Sequence, residues 1–338
     1  MEKNTIMTPP SLTDVLSKNI RLVNKGEYEI ELPSSFSFGP RIFGGLVMSM
    51  VQQAAKEYFT EMHSEYQQTD VLGMQWQFFR LLFPSTATLV IKDIHLGKAS
   101  STILVTVSQK GKECMMGFVN ITNMSLTQGF SFATSWKLDP PPIKASVSAL
   151  ASDADPCWIS YQTPYHPESF RRVQSYLKFF VPYELQDPSI RDQWITPSNP
   201  QTVFTNETLG FVLDISFPIL DNFYPEKSTG GQAATVIAGL EQKKERESGV
   251  TKVIDASSGS YRAPAMITSL ATSIEIKKLL PAGGTKWLFM RAQAKQIKDG
   301  RMSMEVMVFD EGLELVALSQ QLCPIIDLSR AMANKQKL

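Results

Sequence analysis

The sequence predicts an α+β fold made of two similar halves, each with one central helix and an antiparallel meander of strands. Three observations support this prediction. A helical pattern of apolar residues follows the glycine pair Gly44-Gly45. Strand-like segments separated by turn signals come after it. A similar order of strands and turns returns near the end of the 338-residue chain, as expected of a duplicated domain.

The first helix is predicted from Gly44 to about Phe59. Apolar residues recur there at helical spacing, at Val47, Met50, Val51, Ala54 and Tyr58. Gly44 and Gly45 stand at the helix entrance, where glycine lets a ligand or another backbone approach closely and where the first N–H groups have no intrahelical acceptor. The pattern equally fits glycines that only allow tight helix packing, so both interpretations stay open.

The strands of the first half are predicted from alternation and β-branched composition. Glu27–Leu32 alternates like a short strand before the helix. Four further strands are predicted after the helix, at Val71–Phe83, Thr86–Leu96, Ser101–Gln109 and Cys114–Met124. Lys110-Gly111-Lys112 is predicted to be a hairpin turn between the last two.

A connector separates the two halves. Asp139-Pro140-Pro141-Pro142 cannot continue a strand or a helix, and residues 138–157 are rich in Pro, Ser and Ala. They predict a linker between one domain at 1–137 and another at 158–338. In the second domain a helix is predicted at Thr202–Phe223, and the polar segment at about 224–264 is interpreted as a mobile insertion.

The final part of the chain repeats the first meander. Strands are predicted at Ile267–Leu280, Trp287–Ile297, Met302–Phe309 and Leu315–Ile325. Asp93–Asn123 and Ala294–Pro324 can be superposed with their turns near register. Two such units, each with an open sheet edge, are expected to pair edge to edge into one long sheet.

The composition excludes several classes of function. The formal net charge is zero, so neither a nucleic-acid partner nor a polybasic membrane surface is expected. The sequence contains no apolar run of the ~20 residues that a membrane span requires, and the N-terminus lacks a signal-peptide pattern. We therefore expect no membrane insertion.

Cysteine and histidine usage argues against a metal centre. The three cysteines and three histidines show no metal-type spacing, and an odd number of cysteines is typical of a reducing compartment. Neither a metal nor an organic cofactor is predicted. The last residues, Gln336-Lys337-Leu338, faintly resemble the peroxisomal Ser-Lys-Leu signal, so a cytoplasmic location is expected with the peroxisome as the alternative.

Several motifs together resemble the type II acyl-CoA thioesterases. Arg41-Ile42-Phe43-Gly44-Gly45 before an amphipathic helix, with Phe78-Phe79-Arg80 a strand later, is similar to the family's entrance. Val212–Phe217 is similar to the segment that carries its catalytic aspartate, and Leu315–Gln321 to the strand that carries its catalytic glutamine. The resemblance implies a double hotdog, in which two antiparallel sheets each wrap around a central helix and join edge to edge. It also implies hydrolysis of an acyl-CoA and self-association into a homo-oligomer.

The family's hydrolytic site holds a water between an aspartate, a glutamine and a hydroxyl side chain. The resemblance assigns the first two roles to Asp214 and Gln321. When Pro281 and Trp287 are aligned with the family's proline and tryptophan, the hydroxyl position falls on Ala271.

Two nearby hydroxyls remain candidates for that position. Ser269 shares a strand face with Ala271, whereas Thr272 lies on the opposite face unless a bulge intervenes. Substrate contacts are predicted for the helix entrance, the first long strand and the displaced hydroxyl position, at Phe43, Gly44, Gly45, Trp76, Phe78 and Ala271.

Two enzyme classes therefore compete, together with a weaker non-enzymatic alternative. The first is thioester hydrolysis in lipid metabolism. The second is a hotdog scaffold reused as a cyclase, isomerase or dehydratase on an apolar intermediate in specialised-metabolite biosynthesis. It is motivated by Ala271 and by aromatic and methionine side chains on the predicted strands, which could line a pocket for a reactive apolar substrate. The third is an acyl carrier or interaction protein without catalysis.

Overall fold

The protein forms the predicted double hotdog. The computed structural model describes residues 8–126, 129–167, 169–184, 187–215, 219–223, 234–249 and 265–327. Within these residues one 14-stranded sheet has the order β1-β2-β6-β7-β8-β5-β13-β16-β15-β14-β11-β10-β9, with β12 paired to β16. The edge-to-edge union of the two halves is confirmed, because β5 of the first pairs antiparallel with β13 of the second.

The first half contains two helices and eight strands among the described residues. The helices are α1 (Leu12–Lys18) and α2 (Gly44–Met62). The strands are β1 (Ile20–Asn24), β2 (Glu27–Leu32), β3 (Ser37–Phe38), β4 (Arg41–Ile42), β5 (Asp70–Phe78), β6 (Ser85–His95), β7 (Ser100–Gln109) and β8 (Lys112–Thr122).

The second half repeats this plan. Its described helices are α3 (Val147–Ala151), α4 (Leu209–Val212) and α5 (Ala234–Glu247). Its strands are β9 (Trp158–Tyr161), β10 (Leu177–Pro182), β11 (Ile190–Pro197), β12 (Ala265–Ile267), β13 (Ala271–Ile276), β14 (Leu288–Lys298), β15 (Arg301–Phe309) and β16 (Leu315–Asp327).

The duplication is visible in the hairpin turns. Lys110 and Gly111 connect β7 to β8 with φ of 53° and 71°, and Asp299 and Gly300 connect β14 to β15 with φ of 50° and 70°. Positive φ at both central residues is the geometry of the tight turn that matches strand twist. The predicted hairpin at Lys110-Gly111-Lys112 is therefore confirmed, and its counterpart lies at the same point of the second meander.

The helices described in the second half differ from the one that was predicted. In place of a continuous helix at Thr202–Phe223, the described residues contain short 3₁₀ turns and the single turn α4. Residues 216–218, including the predicted helix end at Pro218, lie outside the described part. The N–H groups of Gly210 and Phe211 donate to side chains of α2. Because these N–H groups are not bonded to carbonyls one turn earlier in their own segment, a helix does not continue through this point.

The segment at 224–264, predicted to be a mobile insertion, contains α5 where it is described. Val236 is buried and Leu240 is half-buried against the core, while the charged side of α5 faces solvent. Gln242 exchanges two hydrogen bonds with the backbone of Gln162, which follows β9. The charge run is thus the outer face of an amphipathic helix. Residues 224–233 and 250–264 lie outside the described residues.

The predicted linker, residues 138–157, lies over the outer face of the sheet in the second half and is called the strap. Its apolar side chains pack on a cluster of outward-facing residues; the strap contributes Leu138, Ile143, Ala145, Val147 and Leu150, and the sheet contributes Trp158, Phe180, Trp194, Phe289 and Phe309. Arg291 forms a bidentate ion pair with Asp192, and it also donates to the carbonyl of Pro140. This buried ion pair anchors the strap to β11 and β14.

Candidate active site

The site is organised around the carboxyl of Asp214, which follows α4. Asp214 Oδ2 accepts a hydrogen bond of 2.8 Å from the backbone N–H of Gly45, in the first turn of α2. The aspartate belongs to the second half of the chain and the helix to the first. The carboxylate therefore lies at the positive end of a helix from the other half, where an anion is stabilised.

The glycine pair is needed for this approach. A Cβ on Gly45 would lie 2.5 Å from Phe43 Cε1 and 2.9 Å from Asp214 Cβ. These distances are too short for carbon atoms that are not bonded to each other, so any side chain at this position would force its neighbours to move. A Cβ on Gly44 would lie 3.4 Å from both Asp214 Oδ2 and Phe78 Cε1, at ordinary contact distance. The sequence left two interpretations of the glycines open, tight packing of the helix and close approach of a functional group. Both apply to Gly45.

Side chains of α2 hold the Asp214 segment in place. Gln52 Oε1 accepts from the N–H of Gly210 at 2.7 Å, and Ser49 Oγ accepts from the N–H of Phe211 at 2.8 Å. Gln52 Nε2 donates to the carbonyl of Asn206 at 3.2 Å. The first two of these bonds satisfy the N–H groups at the start of α4, which have no acceptor within that helix. They also fix the position of the chain three and four residues before Asp214.

Gln321 connects the aspartate segment to the sheet. Its Nε2 donates to the carbonyl of Leu213 at 3.2 Å and to Ser319 Oγ at 3.3 Å. Its Oε1 accepts from Ser269 Oγ at 3.4 Å and lies 3.8 Å from Cys323 Sγ. The structure therefore places Gln321 in contact with Ser269 and with the residue that precedes Asp214.

The two residues around the predicted hydroxyl position face opposite ways. Thr272 is buried on the inner face of β13 and pairs in register with Gln321 of β16. Ala271 pairs with Leu322 and lies on the outer face together with Ser273 and Gln320. The side chain of Ala271 therefore does not reach the inner face. Ser269, which was predicted to share a face with Ala271, instead contacts the inward Gln321, because it precedes β13 and the alternation of the strand does not extend to it.

Aromatic side chains surround the helix entrance. Phe43 precedes α2 and packs edge-to-face on Phe211 and on Phe38. Phe78 is half-buried at the end of β5, against Gly44, and Trp76 is fully buried on the same strand. Of the residues predicted to contact substrate, Phe43, Gly44, Gly45 and Phe78 therefore lie at the helix entrance near Asp214. Trp76 lies two strands from Gln321, and Ala271 is on the outer face.

Burial sets the protonation behaviour of the site. Although Asp214 keeps some contact with solvent, dense protein around its carboxyl raises the pKa to about 6, and the hydrogen bond from Gly45 opposes this rise. Burial and the charge of Asp214 raise the pKa of Cys323 to about 12. The thiol therefore stays protonated, which argues against a thiolate nucleophile.

Some residues of the site could not be found from motifs. Cys323 lies two residues after Gln321 on the same strand face, so period-2 alternation could have identified it. Ser49 and Gln52 gave no signal, because their partners are more than 150 positions away in the sequence.

A groove of about 810 Å³ lies on the other side of the sheet, over the junction of the halves. Its exposed lining includes Phe79, Phe118 and Leu322, which point away from Asp214. Trp76, Thr272 and Gln321 border it from beneath, although their side chains are buried. Separately, no helix among the described residues is long and apolar enough to cross a membrane.

Comparison with known proteins identifies relatives over nearly the whole chain. The chain is 25% identical to the thioesterase-like protein TwmA of Talaromyces wortmannii over 327 residues, 91% of this chain and 90% of that protein. Among solved structures, it superposes on a hot dog fold protein of unknown function from Alicyclobacillus acidocaldarius with a TM-score of 0.64 at 12% identity, covering 93% of this chain and 97% of that one. Acyl-CoA thioesterase II TesB2 of Mycobacterium marinum matches with a TM-score of 0.54 at 14% identity, covering 93% and 96%.

Two family models match successive parts of the chain. The acyl-CoA thioesterase N-terminal domain matches residues 32–122, which include α2 and the first meander. The acyl-CoA thioesterase C-terminal domain matches residues 144–325, which include Asp214, Ser269 and Gln321. The chain therefore belongs to the acyl-CoA thioesterase family, as a divergent member with both domains of a double hotdog.

Proposed function

We propose that this protein hydrolyses an acyl-CoA thioester, with Asp214 as the general base. The observation that carries the proposal is the position of its carboxyl, which meets the N-terminus of α2 and is connected to Gln321 through Leu213. A pKa of about 6 suits this role, because the carboxylate is ionised near neutral pH and is still basic enough to accept a proton.

The reaction needs a positioned water and no covalent intermediate. Gln321 and Ser269, which contact each other, orient the water. Asp214 accepts one proton of the water while the oxygen of the water forms a bond to the thioester carbon. The π electron pair of the carbonyl group moves to the carbonyl oxygen, which becomes an oxyanion. The N–H of Gly44 stabilises this oxyanion, since it stands at the helix start without an intrahelical acceptor and the next N–H, of Gly45, donates to Asp214. When the intermediate collapses, the C–S bond breaks and the thiolate leaves with the proton from Asp214.

Ser269 is the hydroxyl that we assign to water positioning, because its Oγ contacts Gln321 and that of Thr272 does not. The outward direction of Ala271 removes one of the two observations that favoured a reused scaffold. Reuse as a cyclase, isomerase or dehydratase stays the second candidate, supported by the aromatic and methionine side chains around the groove.

The test is thiol release from saturated acyl-CoAs of several chain lengths. We expect the wild-type protein to release thiol, and the variants Asp214→Asn and Gln321→Leu to lose it by about 10²-fold or more, the usual contribution of positioned acid–base groups. Ser269→Ala should reduce kcat, whereas Ser273→Ala, on the outer face of the neighbouring strand, should not. A folded wild-type protein that releases no thiol from any of these substrates would refute hydrolysis and favour the reused scaffold.

A further inference from the structure

Three inward side chains form a line across the junction of the two halves. Trp76 on β5, Thr272 on β13 and Gln321 on β16 occupy adjacent strands, and the register pairs Thr272 with each of the other two. All three are buried, with exposed fractions of 1%, 3% and 4%. Directly paired residues on one face of a sheet have neighbouring side chains. The line therefore extends from the Asp214 site, through Gln321, into the first half of the molecule.

Two members of the line lack a hydrogen-bond partner among the described residues. Trp76 Nε1 and Thr272 Oγ1 are buried and unpaired, whereas both polar atoms of Gln321 have partners. The indole N–H is only a donor, and a threonine hydroxyl can donate as well. Buried donors are costly when unpaired, and native proteins almost always satisfy them. Two neighbouring unpaired donors next to a candidate site indicate that an acceptor enters between them.

The orientation of the indole supports this interpretation. A Cβ on Gly117 of β8 would lie 2.4 Å from Trp76 Cε3 and 2.7 Å from Cδ2, so the glycine makes room for that edge of the ring. Nε1 belongs to the opposite edge. Because β8 and β13 flank β5 on its two sides, Nε1 lies on the edge of the ring that is farther from β8.

We infer that the substrate of this site carries a ketone oxygen within its acyl chain, bound between Trp76 Nε1–H and the Thr272 hydroxyl. A carbonyl oxygen has two lone pairs and can accept from both donors, whereas a plain hydrocarbon chain leaves both unpaired. Successive strands are about 4.8 Å apart, so this oxygen lies on the order of 5–10 Å from Gln321. The ketone therefore lies several carbon atoms beyond the thioester. This inference rests on the proposed function for the location of the thioester.

The test separates binding of the chain from its hydrolysis. S-alkyl-CoA thioethers of equal length lack the scissile carbonyl, and they can be made with or without a mid-chain ketone. Calorimetric titration should show that the wild-type protein binds the best keto analogue at least tenfold more tightly than the plain one, because a site with polar groups rejects an analogue that leaves them unpaired. Trp76→Phe keeps a ring and Thr272→Val keeps the shape, and each should abolish most of this preference.

The control is Trp158→Phe. Its indole N–H donates to the Lys144 carbonyl on the outer face, so this variant removes a buried indole donor elsewhere. It should retain the preference for the keto chain, and thermal melting should verify that all variants are folded.

Equal binding of both analogues by the wild-type protein would overturn the inference and would assign the two donors to buried water. Loss of thiol release in Thr272→Val with the keto preference intact would also overturn it, because Thr272 would then act on the water. Failure of thiol release in the wild-type protein contradicts the proposed function alone, since thioether binding needs no hydrolysis.

Discussion

The backbone N–H of Gly45 and the carboxyl of Asp214 are joined by a 2.8 Å hydrogen bond although 169 positions separate them in the chain. Gly45 lies in the first turn of the central helix of the first half, and Asp214 follows a short helical turn in the second. The site is therefore made by the docking of two duplicated units. Four predictions follow from the contacts that hold these units together.

Replacing Asp214 with Asn should abolish most of the activity and raise the free energy of unfolding. Burial raises the pKa of Asp214 from 3.8 to about 6, so the folded state binds its proton more tightly than the unfolded chain does. Ionisation as pH rises from about 4 to about 6 therefore destabilises the fold, by roughly 3 kcal/mol at pH 8. Asp214→Asn removes this penalty, and denaturant unfolding at pH 8 should show a higher free energy of unfolding. The exposed Asp153→Asn serves as the control, and an unchanged free energy for Asp214→Asn would contradict the assigned burial.

The rate of hydrolysis should depend on pH through the same carboxyl. A general base must be ionised, so kcat/KM should fall about tenfold per pH unit below the pKa of Asp214, which is about 6. Above this pKa the rate should reach a plateau. A rate that stays constant down to pH 4.5, at constant ionic strength and with verified folding, would show that Asp214 is not the base.

The two glycines at the start of α2 should differ in their tolerance of a methyl group. In Gly45→Ala the new Cβ meets Phe43 and Asp214 at less than 3 Å, so it must displace the carboxyl from the helix terminus. We expect a loss of kcat of tenfold or more, since small misplacements of catalytic groups are costly. Gly44→Ala meets its neighbours at 3.4 Å and should lose much less. Steady-state thiol release measures both, and equal losses would contradict the geometry.

Gln52 should matter for both stability and activity, although it does not touch the carboxyl. Gln52→Ala leaves the buried N–H of Gly210 without an acceptor, which costs about 1–3 kcal/mol. It also releases the segment that positions Asp214, so kcat should fall as well. Gln53 is the matched control, because its side chain pairs with Glu57 within α2. Gln53→Ala should change neither the unfolding midpoint nor kcat, and a similar effect of the two variants would refute the positioning role of Gln52.

Much of the architecture could be predicted from local pattern. Alternation in the two meanders, the turns at Lys110-Gly111 and Asp299-Gly300, and the entrance glycines all depend on neighbouring residues, so they are readable in the sequence. The helix α5 was not predicted, because its local pattern is weak. Its polar face dominates the composition of residues 234–249, and the few apolar residues that bury it were too sparse to give a clear signal.

The sequence alone determined the duplicated α+β fold and identified Asp214, Gln321 and Ser269 as candidates for one site. Tertiary structure decided which face of β13 points inward and that α4 docks on α2. It also decided that Trp76 and Thr272 are neighbours whose polar side-chain atoms have no hydrogen-bond partner in the described part of the chain. The physical reason is the range of the interactions involved. Side-chain alternation and turn preference act over a few residues, whereas strand register and the pairing of buried polar groups depend on contacts between segments that are distant in the chain.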